Sequence, residues 1–274
     1  MKKIYLLFIL LLSSVMLFAC ASESSVHNDA DASNDEVDKT SRLHKIIDDQ
    51  VIRVGTTGDY RPFTYLNPDT GEFEGFDIDA AKKLAEDLGV EVEFVQTSWP
   101  DLMDDLLDDK FDIGMGGITR TLERQKPAHM SQGYYDFGKS ALIHQDNKDK
   151  FKSIEDLNKP DVKVGVNPGG TNFDYVEEHL TETEVIIIEN NLEIPEMVAE
   201  KEVDVMITET PEALLYAKED SRLYPAFVEE PLTNSQMGYI MHQGDPTFHN
   251  WIDLWIKEME LSREFEKLEE KWMK

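Results

Sequence analysis

The chain has 274 residues, of which 56 are acidic and 27 basic, a formal charge of −29. An apolar fraction of 41% is enough for a globular core, so wholesale disorder is excluded despite the charge, and the carboxylate excess argues against nucleic acid or an anionic membrane surface as partner. The single cysteine, Cys20, excludes a disulfide framework and a cysteine-ligated zinc.

Lys2 and Lys3 precede an apolar run, Ile4 to Leu12, extended by Val15-Met16-Leu17-Phe18. Such a basic start followed by a short hydrophobic stretch reads as an export signal, since it is too short for an ordinary membrane span. It stops at Leu17-Phe18-Ala19-Cys20, which resembles a bacterial lipobox. Residues 1–19 are therefore expected to be a lipoprotein signal peptide, with Cys20 lipidated and the protein exported and held on the outer face of the cytoplasmic membrane. A plain secretory leader with a chance cysteine is the alternative. Residues 20–45 are rich in Ser, Asp, Asn and Glu without apolar periodicity, and read as a self-repelling acidic tether.

From Val51 a pattern of strand, glycine-containing turn and helix begins. Val51 to Val54 alternates and runs into Gly55-Thr-Thr-Gly58; the amphipathic segment Asp77 to Leu88 ends at Gly89, a C-cap signal. Val90 to Val95 is expected as a second strand, Trp99 to Leu107 as a helix and Phe111 to Met115 as a third strand. The scheme recurs: strand Val162 to Val166, turn Asn167 to Gly170, a helix to Leu180, strand Val185 to Ile188, helix Ile194 to Glu200, strand Val203 to Ile207 and helix Pro211 to Ala217. Two βαβαβ units imply two α/β lobes with mainly parallel sheets. Lobe 1 is expected from residues 46–142 plus 236–274, closing with helices Phe248 to Glu258 and Arg263 to Trp272. Lobe 2 is expected from residues 143–235, with Ser140 to Gln145 crossing into it and Gln236 to His242 returning. Ligands bind outside the carboxyl ends of such strands, so the site belongs in the cleft between the lobes.

Gly55-Thr-Thr-Gly-Asp-Tyr-Arg-Pro-Phe63, Thr97-Ser-Trp-Pro100, Leu122-Glu-Arg-Gln125 and Asn167-Pro-Gly-Gly-Thr-Asn172 give the chain its resemblance. Residues 46–274 resemble the family 3 extracellular solute-binding proteins, and these four segments resemble its cyclohexadienyl dehydratase branch. The resemblance implies a type II periplasmic-binding-protein fold. It also implies conversion of prephenate to phenylpyruvate, or arogenate to phenylalanine, with no cofactor. The rival it leaves open is a non-catalytic amino-acid-binding lipoprotein serving an ABC permease.

The resemblance makes Arg124 the guanidinium that grips a ligand carboxylate bidentately; a surface ion pair with Glu123 or Asp136 is the structural alternative. Lys139 is implied to hold a second carboxylate or the departing oxygen. It lies in Gly133-Tyr-Tyr-Asp-Phe-Gly138-Lys139-Ser140, which matches the P-loop expression, but two tyrosines, a phenylalanine and an aspartate do not make a phosphate cradle. Asn167, Thr171 and Asn172 open a helix whose free N–H groups suit an anion, or simply form a strand-to-helix turn. Glu212 is implied to be the general acid that protonates the leaving hydroxyl, which requires burial to raise its pKa. Thr210-Pro211-Glu212 is equally an ordinary helix start, whose dipole would lower that pKa. Trp99 would wall the ring and Asp59 would order Lys139 or water; an Asx turn and a core aromatic are the alternatives. Glu209 stands where amino-acid binders usually carry aspartate, and Phe173 where the dehydratases carry glutamate. The seven histidines show no metal-ligand spacing.

Cys20→Ser is expected to release the protein from membranes with its fold intact. A serine variant that still sediments with membranes removes the lipid anchor.

Overall fold

The structure, a computed structural model, describes residues 40–274; the leader, Cys20 and the tether as far as residue 39 lie outside the described residues. The tether does not extend to residue 45. Arg42–Asp49 is a helix, capped by Ser41, whose hydroxyl accepts from the Leu43 N–H. Its Leu43 and Ile46, three apart on one face, enter the core of lobe 1. The backbone N–H of Arg42 donates to Asp245 at 2.6 Å, which fixes the helix to the start of Pro246–Leu261.

Each lobe holds a five-stranded sheet. In lobe 1 the order is Glu91–Gln96, Val51–Thr56, Ile113–Gly114, Ile240–Met241, His129–Met130. In lobe 2 it is Glu184–Ile187, Lys163–Val166, Val205–Glu209, Lys139–His144, Leu223–Ala226. The three strands from each repeat are parallel, as their helical connections require. Antiparallel strands extend both sheets: Ile240–Met241 in lobe 1, Lys139–His144 and Leu223–Ala226 in lobe 2.

The crossing between lobes lies earlier than Ser140 to Gln145. Tyr135–Phe137 and Ser235–Met237 pair antiparallel as the two-stranded connection, and Lys139–His144 is already an interior strand of lobe 2. Its first five residues are buried, so it lacks the alternation that marks a half-exposed strand. The lobe 2 boundary expected at residue 143 therefore moves to Lys139. The helix expected from Trp99 begins only at Leu102, which leaves Trp99 in the loop at the cleft.

Valines and isoleucines of the lobe 2 strands bury both sheet faces, against Val176 on one side and Ile194 and Val198 on the other. In lobe 1 the core is aromatic. Phe76 stacks on Tyr134 and Phe265 with centroids 5.9 and 5.8 Å away, and Tyr134 on Tyr239 at 4.6 Å.

Within these rings Asp77 is fully buried. It accepts from the Tyr134 hydroxyl and the Gly117 N–H at 2.6 Å each, and from the Tyr239 hydroxyl at 3.2 Å. The Gly117 bond anchors the turn of lobe 1 that faces the cleft. Burial pushes the Asp77 pKa from 3.8 to about 6, against the lowering effect of its three donors. A raised carboxyl pKa contributes stability that is full below about pH 4 and lost as pH rises through about 6. Asp77→Asn keeps the shape, since its amide can donate to Tyr239. The parent's stability relative to this variant is expected to fall by up to about 3 kcal/mol between pH 4 and 7. Urea unfolding at both pH values checks this; an unchanged difference counts against it.

Candidate functional site

The strand ends of both lobes converge on one cleft. Val51–Thr56 delivers Asp59 and Tyr60, Ile113–Gly114 delivers Gly117 and Thr119, Lys163–Val166 delivers Asn167, and Val205–Glu209 ends in Glu209 with Glu212 one turn into the next helix. Gly169 has φ +72°, and a Cβ there would lie 2.8 Å from the Pro100 nitrogen of lobe 1. Only glycine permits that turn and that approach together.

The register of lobe 2 sets Lys139 directly opposite Glu209 on neighbouring antiparallel strands. Their ion pair spans 3.1 Å, with the residues only 6% and 3% exposed. Lys139 Nζ also donates to Asn172 Oδ1 at 2.6 Å and Thr171 Oγ1 at 3.1 Å. Glu209 accepts in addition from Asn172 Nδ2 at 3.1 Å and from the Tyr60 hydroxyl of lobe 1 at 2.9 Å. Tyr60 meets Trp99 edge-on, with ring centroids 5.9 Å apart.

Of the residues expected at the site, Trp99, Asn167, Thr171 and Asn172 line the cavity, together with Tyr60, Thr119, Asn191 and Glu209. Asp59, Arg124, Lys139 and Glu212 do not line it in this closed arrangement, yet each bonds a residue that does. Asp59 accepts from the Trp99 indole at 3.1 Å rather than ordering Lys139, and burial raises its pKa. Arg124, on the short helix Leu122–Gln125, donates to the Thr119 carbonyl at 2.7 Å. Among the described residues neither Glu123 nor Asp136 pairs with it: Glu123 binds Lys126, and Asp136 accepts from Gln236. Burial disfavours the Arg124 charge, which the more distant Asp174 and Glu209 support.

Glu212 is fully buried. It shares a hydrogen bond with the Thr208 hydroxyl, and its Oε1 accepts from Asn191 Nδ2 at 3.0 Å. Burial drives its pKa well above the usual carboxylate range, helped by the negative charges of Glu209 and Asp59 and opposed by the Thr208 and Asn191 bonds. Asn191 also donates to the Asp59 carbonyl at 3.0 Å, across the cleft.

Asn191 carries no sequence signal of this role, because Asn190-Asn191 reads as a helix cap, and Asn190 does accept from the Leu192 N–H. Tyr60 lies within a segment that carries the family resemblance, but its partner Glu209 is 149 residues away. The lobes are further joined by Arg61, whose guanidinium binds both carboxylate oxygens of Glu219 at 2.8 and 2.7 Å. The partly open cavity has a volume of about 20 Å³, close to one water. An amino acid or a cyclohexadienyl acid enters only if the lobes part or the bonds around Lys139 rearrange. Among the described residues, no three His, Cys, Asp or Glu side chains gather as metal ligands.

Comparison with known proteins agrees with this architecture. The chain is 35% identical over 233 residues to the cyclohexadienyl dehydratase of Pseudomonas aeruginosa, covering 85% of this chain and 86% of that one. It is 30% identical over 281 residues to the ABC transporter glutamine-binding protein GlnH of Bacillus subtilis, covering 100% and 98%. A solved ancestral amino acid-binding protein, described as a precursor of cyclohexadienyl dehydratase, superimposes with a TM-score of 0.79 at 41% identity, over 85% of this chain and all of that one. Residues 52–274 match the family model itself, and the chain belongs to the bacterial extracellular solute-binding proteins, family 3.

Proposed function

We propose that the protein is an exported, lipid-anchored cyclohexadienyl dehydratase acting on prephenate, with arogenate as a second substrate. The observation that carries this reading is the setting of Glu212: a fully buried carboxyl whose hydrogen-bond partners among the described residues are the neutral Thr208 and Asn191, with a pKa driven well above the usual range. General-acid catalysis requires a carboxyl whose pKa burial has raised. The similarity to the Pseudomonas aeruginosa enzyme supports the same reading.

In this mechanism Arg124 and Lys139 hold the two carboxylates, Asn167, Thr171 and Asn172 orient them, and Trp99, held by Asp59, walls the ring. Glu212 lies one hydrogen bond behind the cavity wall, so its proton is delivered once ligand entry displaces the side chains in front of it. It protonates the ring hydroxyl, the carbon–oxygen bond breaks and water leaves. The ring carboxylate departs as CO2, and the electron pair of its carbon–carbon bond completes the aromatic ring of phenylpyruvate. Lys139 leaves Glu209 to bind substrate, and Tyr60 and Asn172 continue to solvate the glutamate.

A second reading, an amino-acid-binding lipoprotein of an ABC transporter, is favoured by one observation: Glu212 does not itself line the cavity. The extent of the match to GlnH supports it too.

Incubation with prephenate, followed by phenylpyruvate absorbance against a no-enzyme control, separates the two. Under the first reading Glu212→Gln lowers turnover by about 10²-fold or more while ligand affinity is largely kept. Turnover in the parent falls as pH rises and Glu212 ionises. Arg124→Ala instead weakens binding, because it removes a bidentate carboxylate contact. Under the second the parent gives no turnover, and an amino acid rather than prephenate raises the melting temperature. Parent-level turnover by Glu212→Gln excludes Glu212 from the mechanism.

A further inference from the structure

The side chain of Asn191 is 3% exposed per residue and belongs to the turn Asn191–Glu193 of lobe 2. One nitrogen, Nδ2, lies 3.0 Å from the Asp59 carbonyl of lobe 1 and 3.0 Å from Glu212 Oε1. A backbone carbonyl only accepts, so the contact with Asp59 identifies this atom as the amide nitrogen, whose two hydrogens serve one acceptor each. Oε2 accepts from the Thr208 hydroxyl, so both oxygens of Glu212 face donors, and Asn191 is the donor that lobe 1 also holds.

When the lobes part, the Asp59 carbonyl leaves and the amide loses the group that sets its orientation. It can then turn Oδ1 toward Glu212 and accept the carboxyl proton. The two orientations act oppositely: a donor favours the carboxylate and strengthens the acid, whereas an acceptor favours the neutral carboxyl and weakens it. From this geometry we infer that Asn191 is a positioning residue that couples lobe closure to Glu212: the Asp59 carbonyl of lobe 1 holds the amide so that it donates to Oε1, and parting of the lobes releases that hold. The inference rests on Glu212 serving as the acid of the proposed reaction. It goes beyond that reading by tying the hydrogen bonding of the acid to closure.

The other titratable groups facing Glu212 are Glu209 at the end of the preceding strand, Asp59 across the cleft, Tyr60 of lobe 1, and Tyr216 one turn along its own helix. Glu209 and Asp59 both oppose ionisation of Glu212. Asn191 and Thr208 are its hydrogen-bond partners among the described residues and favour ionisation.

The test uses Asn191→Leu, which keeps the bulk without the hydrogen bonds, and Asn191→Ala as a second variant should leucine not fold. Protein labelled with carbon-13 at the glutamate carboxyls is titrated by NMR, with the Glu212 signal identified by its loss in Glu212→Gln. Losing a donor to the charged form is expected to raise the Glu212 midpoint by about one pH unit, and to move the alkaline limb of prephenate turnover by the same amount. In an Arg61→Ala/Glu219→Ala background, which removes the clasp between the lobes without changing net charge, the rise caused by Asn191→Leu is expected to shrink, with X-ray scattering reporting a more open molecule. An unmoved midpoint in folded Asn191 variants overturns the role of Asn191. A clasp variant that opens while the Asn191→Leu shift stays as large as in the parent overturns the coupling to closure. Absence of turnover in the parent defeats the dehydratase reading separately, because the NMR midpoints do not depend on it.

Discussion

The site depends on a buried ion pair that the sheet of lobe 2 places and lobe 1 completes. Lys139 and Glu209 face each other because the strands Lys139–His144 and Val205–Glu209 pair in that register. Burying two charges costs several kcal/mol per ion unless they are paired and their remaining hydrogen-bonding capacity is met. Lobe 2 meets most of it through Thr171 and Asn172 at the start of the helix Gly170–His179. The third partner, Tyr60, arrives from lobe 1. Lobe 1 therefore completes the hydrogen bonding of the pair, and in the proposed reading an anionic ligand competes with Glu209 for the same ammonium.

Two glutamates three residues apart sit in different surroundings. Glu209, at the end of a strand, has an ammonium and two neutral donors. Glu212, in the first turn of the following helix, has only a hydroxyl and an amide, with Glu209 and Asp59 as negative neighbours. Full burial removes the water that would stabilise the Glu212 carboxylate and raises its pKa, whereas the helix dipole acts in the opposite sense.

A net charge of −29 works against an anionic ligand at long range. Salt screens that repulsion over about 8 Å at physiological ionic strength, so in the proposed reading recognition falls to contact distance. There Arg124 has no carboxylate partner among the described residues, whereas Arg53, Arg61 and Arg222 are engaged with acids.

The sequence by itself determined what depends on neighbours along the chain. The alternating valines of Val51–Thr56 and Lys163–Val166, the C-cap at Gly89 and the glycine-rich turn at Asn167 to Gly170 each report local geometry, so the two repeats and the strand ends facing the cleft were legible. The segment ending at Cys20 that resembles a lipobox is an expectation of the same local kind, outside the described residues. Only the tertiary structure decided where the chain changes lobes, because the interior strand Lys139–His144 is buried on both faces and has no period to read. It also decided the company each site residue keeps. Tyr60 with Glu209 and Asp59 with Asn191 are contacts across 149 and 132 residues, and no local pattern specifies such partners. Whether Glu212 is a charged helix-start residue or a buried neutral acid is decided by how much water the packed lobes exclude, which the order of residues does not reveal.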